Sequence, residues 1–344
     1  MDASGQPNGQ APRRFEPVDV LVVGAGPIGL ACAIEVQRVG LTARIVEKGA
    51  LVNSLIGYPT GMEFFSTPEL LEIGGHPLPT ARYKPVREEA VDYYQTVARR
   101  ERLDVRLYER VLRADGEDGA FEVVTSRGVH PCRKVVAATG FFDQPNPLDV
   151  PGEDLPHVSH YYKEPYPYAG QRVVVIGAKN SSAKAALDLH RHGAAVTLVH
   201  RGPEVGQSVK YWIRPDLLNR IRDGAIAARF NTTVTAIRPG EVDVLGPDGP
   251  ATLPADFVLA LTGYHPDFAF LETLGIRLAG PLRVPAFDEE TMETNRPGIY
   301  LAGTVCGGYN TSRWFIENGR IHAAQLAAHL AGRPIPEIAA HGQP

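Results

Sequence analysis

The chain opens its ordered pattern with Val18 to Val23, "VDVLVV", a continuous apolar run rather than an alternating one. That pattern suits a parallel strand covered on both faces. Gly24 to Gly29 then turns the chain, and Leu30 to Val39 has helical spacing that ends at Gly40, a plausible C-cap. "TARIVEK" follows as a second strand and closes the βαβ unit on an acid, Glu47. The same order recurs later: "QRVVVIG" reads as a strand, Ser181 to Arg191 as a helix, Gly193 as its stop and "AVTLVHR" as a strand. Outside the turns the two copies share little sequence, so the repeat is one of architecture.

Between the copies lie a loop-rich segment from Asn53 to Pro85, a helix from Val86 to Glu101, and short strands around "VRLYERVLRAD" and "FEVVTS". "RKVVAATGFFDQPNPLDVPGED" is a strand running into a proline-rich connector, a domain boundary by its composition. "DFVLALTGYHPD" is its counterpart in the second unit. "GIYLAGTVCGGYNTSRWFIENGRIHAAQLAAHLAG" predicts a strand, a glycine turn and a long final helix.

Composition narrows the class. The 344 residues are 44% hydrophobic, enough for two cores. The net charge of -4 and mixed signs exclude nucleic acid or an anionic membrane surface as the main partner. No apolar run is long enough to span a bilayer. Cys32, Cys132 and Cys306 form neither a CxxC nor a zinc spacing, so no metal is expected and a reducing cytoplasm is the natural compartment. The polar start, "MDASGQPNGQAPRRFEP", lacks the apolar core of a secretory signal and reads as a disordered tail over 1–17. The stretch 333–344 reads as a second loose end.

Gly24-Ala25-Gly26-Pro27-Ile28-Gly29 fits GxGxxG. Gly24 permits the tight turn, Gly26 lets backbone approach a pyrophosphate, and Gly29 lets the helix pack close to the strand. The helix N-terminus favours the phosphate charge. Glu47 stands 18 residues beyond Gly29, where a carboxylate can bind both ribose hydroxyls. The bland alternative is a Rossmann-like domain with an unused site.

The second turn, Gly177-Ala178-Lys179-Asn180-Ser181-Ser182, keeps only the first glycine, with the small Ser182 at the third position. Its following strand ends in His200-Arg201 rather than in an acid. A carboxylate there would repel a 2'-phosphate, whereas a guanidinium binds it through two hydrogen bonds. The first site is therefore expected to take a dinucleotide without that phosphate and the second NADPH, with Lys210 and Arg214 as further candidate charges. The plain alternative leaves His200 and Arg201 as solvated loop charges. Two adjacent dinucleotide sites imply electron transfer between two cofactors, and the partner of NADPH is most simply FAD.

"VVGAGPIGL", "AATGFFDQPNPLDVPG", "VVVIGAKNSS", "LTGYHPD" and "GIYLAGTVCGG" together resemble the two-domain thioredoxin-reductase-like flavoproteins, over nearly everything from Val18 to about Gly332. "EKGALVNSLIGYPTGMEFFSTPELLEIGGHPLPT", "HYYKEPYPYAGQ", "VKYWIRPDLLNRI" and "WFIENGRIHA" resemble, more narrowly, the bacillithiol disulfide reductase family. The resemblance implies an α/β fold of two Rossmann-like domains. Residues 18–145 and 295–332 would bind FAD, and an inserted domain, 146–294, would bind NADPH. The resemblance implies a homo-oligomer, whose number of subunits no sequence feature fixes. It also implies reduction of a low-molecular-weight thiol disulfide.

Thioredoxin reductases carry a CxxC just before the glycine strand of the NADPH domain. Here that place holds "HVSHYYKEPYPYAGQ", without sulfur. The narrower family's redox cysteine precedes the last glycine of GxGxxG, and here that position is Ile28. Cys306, in the turn before the final helix, is the remaining candidate nucleophile, because a helix dipole there would lower its pKa. The alternative is a small residue chosen for packing between glycines. Cys32 reads as core and Cys132 as a surface-loop thiol. The resemblance of the surrounding stretches adds Lys48, Asn53, Phe65, Ser66, Gly140, Gly263, Gly303 and Thr304 to the cofactor cradles. Tyr58, Tyr161, Tyr162, Tyr309 and Trp314 are candidates for ring stacking.

The expected activity is NADPH-driven, FAD-dependent reduction of a small disulfide. Three rivals stay open: reduction of a ferredoxin- or flavodoxin-type carrier, a flavin monooxygenase, and a non-catalytic nucleotide-binding redox sensor.

Overall fold

The computed structural model describes residues 13–336. Chain contacts divide it into two compact units. Unit 1 holds residues up to Ile56, Gly61–Gln144 and His265 onward; unit 2 holds Gly57–Thr60 and Pro145–Tyr264.

In unit 1 the elements run β1 (Val18–Val23), α1 (Pro27–Arg38), β2 (Ala43–Val46), α2 (Asn53–Gly57), α3 (Pro68–Leu71), α4 (Arg87–Arg100), β3 (Asp104–Arg106), β4 (Val111–Glu117), β5 (Ala120–Thr125) and β6 (Gly128–Ala137). β1 pairs in parallel with β2 on one side and with β6 on the other, and β2 with β3. The apolar run of β1 is buried on both faces from Val20 to Val23, as a central parallel strand requires. β4, β5 and the first half of β6 form an antiparallel meander.

The chain then enters unit 2: β7 (Val158–Ser159), β8 (Arg172–Ile176), α5 (Asn180–Arg191), β9 (Ala195–Val199), α6 (Arg214–Arg222), β10 (Ala227–Arg229), β11 (Thr233–Arg238), β12 (Glu241–Gly246), β13 (Gly249–Pro254) and β14 (Phe257–Ala260). A five-stranded parallel sheet has the order β10-β9-β8-β14-β7. Alternate residues of β8 explain its two covers. Val173 and Val175 pack with Ala183, Ala186 and Leu189 of α5 and with Leu217 of α6. Val174 and Ile176 pack with Ile237, Val242, Val244 and Leu253 of the antiparallel β11-β12-β13 sheet.

Back in unit 1 come α7 (Phe268–Thr273), β15 (Leu278–Ala279), β16 (Val284–Pro285), β17 (Ile299–Leu301), a 3-10 turn at Gly303–Gly307, α8 (Ile316–Gly319) and α9 (Ile321–Leu330). β17 pairs in parallel with the end of β6 and completes a seven-stranded sheet.

Four expectations change. Chain contacts end the second unit at Tyr264, where 294 was expected: α7 packs on β4, and Arg296 bridges the two, Nη1 donating to Leu274 O at 3.0 Å and Nη2 to the Ala114 and Gly116 carbonyls at 3.0 and 2.7 Å. The expected tail 1–17 is ordered from Arg13. Phe15 N donates to Val129 O at 3.0 Å, and the Phe15 ring stacks at 3.9 Å on the fully buried His130. Residues 1–12 of that tail, and 337–344 of the expected loose end, lie outside the described residues. The long final helix is two helices, α8 and α9, divided at Arg320 just after Gly319. Cys132 lies in β6 and is buried, not on a surface loop.

Candidate functional site

The two glycine turns are built by matching contacts. Gly24 has φ +107°, and a Cβ there would sit 2.6 Å from Ala138 O; Gly177 has φ +120°, and a Cβ would sit 2.6 Å from Leu261 O. Gly24 N donates to Val46 O at 2.9 Å and Gly177 N to Val199 O at 2.9 Å. The first glycine is thus pressed against the loop leaving β6 in unit 1 and β14 in unit 2, where only glycine fits. At the third position the copies differ. A Cβ on Gly29 would meet Gly24 O at 1.9 Å, whereas Ser182 is accommodated, its Oγ donating to Lys179 O at 3.0 Å.

Gly26 precedes α1 and has nothing within 4 Å of a built Cβ, so its backbone face is open. Close by, the Thr139 hydroxyl is buried without a hydrogen-bond partner, and Thr139 Cα lies 3.4 Å from the Cβ position of Gly24. An open glycine beside an orphaned buried hydroxyl fits a polar ligand at this turn. Pro27 starts α1, where its missing N–H costs nothing. The Ile28 side chain turns away into packing: Gly303, at φ +83°, has its Cβ position 3.1 Å from Ile28 Cγ1, and Gly319 has its Cβ position 3.7 Å from Ile28 Cδ1. An isoleucine here therefore forces glycine at 303.

Glu47, at the end of β2, is buried, 8% exposed. Its Oε2 accepts from Ala25 N at 2.8 Å and its Oε1 from Gly49 N at 2.7 Å. The carboxylate thus holds the glycine turn itself, and each oxygen keeps a lone pair for a ribose hydroxyl. Lys48 pairs with Asp143, and Asn53 Oδ1 accepts from Ala50 N at 3.3 Å. Gly140 has φ +67° and faces Thr304 Oγ1 at 3.7 Å from its Cβ position. Ser66 hydrogen-bonds Glu317, and Phe65 is 41% exposed.

Cys306 is fully buried in the 3-10 turn. Burial pushes its thiol well above the ordinary range, with nearby Cys32 adding to the rise. The expected lowering by a helix dipole is overturned: the turn is 3-10, and α9 begins only at Ile321. The buried neighbour that sequence reasoning missed is His322 of α9. Its Nδ1 accepts from Gly303 N at 3.0 Å and lies 4.0 Å from Cys306 Sγ. Burial, helped by Arg313, pushes its pKa down to about 4. The neutral ring therefore keeps Nδ1 as an acceptor and fixes the turn. Only "ENGRIHA" in the sequence pointed this way, and a histidine there carries no spacing signal.

In unit 2 the strand end carries positive charge. The side chains of Lys179 and Arg201 are exposed and make no ion pair or hydrogen bond among the described residues. Burial first, then Arg201 and Lys179, lowers the His200 pKa, which places both cations near that ring. Asn180 starts α5; its Oδ1 accepts from Lys210 N at 3.0 Å and its Nδ2 donates to Ser208 O at 3.2 Å. Ser181 is exposed on the first turn. Gly263 has φ +93° at the exit of β14, beside Asn146. Arg214 is drawn off to Glu204 at 3.1 Å. Unpartnered cations at the strand end suit a 2'-phosphate.

Among the candidate stacking rings, Tyr161 stacks on Tyr264 at 5.5 Å and Tyr162 is buried against Asp188. Tyr309 packs on Phe268, and Trp314 meets His322 edge-on at 4.4 Å. Tyr309 nevertheless keeps an exposed face, and the buried Trp314 indole N–H has no hydrogen-bond partner.

Two cradles of one design, one closed by a carboxylate and the other by cations, define a two-nucleotide oxidoreductase. Residues 21–303 match the family described as pyridine nucleotide-disulphide oxidoreductase. Bacilliredoxin reductase Bdr of Bacillus subtilis (strain 168) is 43% identical over 315 residues, 91% of this chain and 97% of that protein. The solved bacillithiol disulfide reductase Bdr of Bacillus cereus superposes with a TM-score of 0.90 at 41% identity, covering 93% of this chain and 100% of that one. A ferredoxin–NADP reductase of Saccharopolyspora erythraea is 31% identical over 93% of this chain and 94% of its own length. The chain belongs to the pyridine nucleotide-disulphide oxidoreductases and, within them, to the family of the Bdr reductases. It is an NADPH-dependent flavoprotein oxidoreductase with FAD and NADPH as cofactors. No helix among the described residues is long and apolar enough to cross a membrane.

Proposed function

We propose that the protein reduces a low-molecular-weight thiol disulfide of the bacillithiol type with electrons from NADPH: NADPH + H+ + RSSR gives NADP+ + 2 RSH. The observation that carries the reading is the pair of matching glycine cradles, with Glu47 at one strand end and Arg201 at the other. The disulfide class follows from the similarity to Bdr along nearly its whole length.

In unit 1, Gly26 and the Thr139 hydroxyl would face the FAD pyrophosphate, Glu47 its ribose, and Gly140 and Thr304 the far end of the cofactor. FAD supplies the ring that accepts hydride from NADPH and passes two electrons on. In unit 2, Lys179 and Arg201 would hold the 2'-phosphate of NADPH, each charged hydrogen bond contributing about 1.5–3 kcal/mol. His322 keeps Gly303 N–H engaged and so keeps the Gly303–Thr304 backbone in place. Cys306 has no part in the chemistry in this conformation, since a buried, neutral thiol neither attacks nor is reached. We further propose a reducing cytoplasm as the compartment, in keeping with three unpaired thiols, and a homo-oligomeric state.

The test is NADPH oxidation under anaerobic conditions with bacillithiol disulfide as acceptor. Turnover supports the reading; none with the disulfide, alongside turnover with a ferredoxin, would replace it with the second one. That second reading, reduction of an electron-carrier protein, is favoured by one observation: all three cysteines are buried.

A further inference from the structure

Loop Gly202–Ile213 of unit 2 lies over the second glycine turn. Val205, Val209 and Ile213 anchor it in the core that also holds α5. Between these anchors the loop is tied to the turn by backbone and by one side chain. Gly206 N donates to Ala178 O at 2.9 Å. The Asn180 carboxamide then grips the loop twice, accepting from Lys210 N at 3.0 Å and donating to Ser208 O at 3.2 Å. One flat amide thus satisfies two loop groups two residues apart, as a neighbouring strand would.

The grip has a consequence for charge. Lys210 is held by its own backbone N–H to the residue that follows Lys179, and Lys179 and Arg201 both lie near His200. The Lys210 ammonium lies 5.9 Å from the centre of the Trp212 ring, which is 46% exposed, so its head stays at the surface.

We infer that Asn180 is a positioning residue for cofactor selection: its carboxamide holds the Lys210 backbone against the turn that carries Lys179, and Lys210 so placed acts with Lys179 and Arg201, rather than Arg201 alone, to separate NADPH from NADH. The inference rests on the reading that NADPH occupies the second cradle. Loss of the two bonds leaves Lys210 held through its carbonyl, which accepts from Ile213 N and Arg214 N, but no longer tied to the turn by Asn180. Only the cofactor that carries the 2'-phosphate then loses attraction. NADH has no group there to lose.

The test is steady-state oxidation of NADPH and of NADH by the full-length, FAD-loaded enzyme, with ferricyanide as acceptor and 2'-AMP as a competing probe. Asn180→Ala is expected to raise KM for NADPH about 10-fold, about 1.4 kcal/mol, with kcat within about 2-fold. KM for NADH stays within about 2-fold, and 2'-AMP inhibition weakens in parallel with NADPH. Lys210→Met, which keeps the backbone N–H that Asn180 accepts, gives the same selectivity loss. The double variant is no worse than either single one, because both remove one effect. If Asn180→Ala fails to retain flavin, Lys210→Met alone decides.

Equal losses for NADPH and NADH, an additive double variant, or unchanged selectivity in Lys210→Met would overturn the inference. Arg201→Ala separates the layers. If it abolishes NADPH preference while Asn180→Ala and Lys210→Met do not, only this inference fails. If it too leaves the preference intact, the assignment of NADPH to this cradle fails with it.

Discussion

The three glycines of the first turn do different work, and alanine at each separates them. Gly26 has φ -73° and ψ 176°, which any residue adopts, and an added Cβ meets nothing within 4 Å. Replacing an N-cap glycine by alanine costs about 0.5–1 kcal/mol, offset by about 0.4–1 kcal/mol from a stiffer unfolded chain. The melting temperature should therefore move by no more than about 2 °C. The new methyl, however, fills the open face, and FAD affinity should fall at least about 10-fold. Gly24 is the opposite case. Its φ of +107° adds strain of about 1–2 kcal/mol for an L side chain, and the 2.6 Å approach to Ala138 O adds overpacking of about 1–3 kcal/mol. A loss of about 3 kcal/mol corresponds to a drop of roughly 6–12 °C for a domain of this size. Gly29→Ala, with 1.9 Å to Gly24 O, should behave like Gly24→Ala although its helix position favours alanine. The assay is the flavin-to-protein ratio after purification, with thermal melts in the presence and absence of added FAD. Full flavin retention in Gly26→Ala, or a parental melting temperature in Gly24→Ala or Gly29→Ala, would refute the reasoning.

Other outcomes follow from single contacts. His322 titrates near 4 in the folded chain and near 6.5 unfolded, so its contribution is complete above pH 6.5 and is lost as pH falls from there towards 4. That loss amounts to about 3 kcal/mol, and melts of His322→Gln from pH 7 to 4 should show a shallower acid slope than the parent; an equal slope contradicts it. Because Cys32, Cys132 and Cys306 are all buried, a maleimide should label none of them in the native protein within minutes and all three after unfolding. Cys306→Ser should keep disulfide turnover within about 2-fold; its loss would restore Cys306 as a redox residue. Glu47→Ala removes two charge-assisted acceptors from the turn, worth about 1.5–3 kcal/mol each, and should release FAD as well as lower the melting temperature. A flavin-replete Glu47→Ala would contradict that.

The parts legible in the sequence are those fixed by local rules. Buried parallel strands, glycine turns and the residues closing the second strands are all local, and β1, β8 and α5 fell within a residue of expectation, while α1 begins three residues earlier, at Pro27, because the glycine turn already feeds its first turn. The charge difference between Glu47 and Arg201 was readable because it is carried by residue type at a known strand end. What escaped depends on distant partners. The return to unit 1 at His265 rests on α7 packing on β4 and on Arg296 joining Leu274 to the meander carbonyls, which no spacing encodes. Cys132 looked like a loop residue because Pro131 precedes it. Yet β1 pairs with β6 only from Cys132 onward, so Pro131 faces no ladder on that side. The Cys306 expectation failed because helix-dipole reasoning needs an α-helix beginning at the thiol, and burial outweighs a partial charge. His322 stayed unread because its value lies in the backbone N–H of Gly303, 19 residues earlier in the sequence.

Anaerobic titration of the purified, FAD-loaded protein with NADPH, followed by bacillithiol disulfide, tests the central claim most directly. The account predicts that about one equivalent of NADPH per flavin bleaches the visible flavin band and that the disulfide restores it. A band that survives excess NADPH would contradict transfer between the two cradles, and a bleached band that the disulfide leaves bleached would contradict the proposed acceptor.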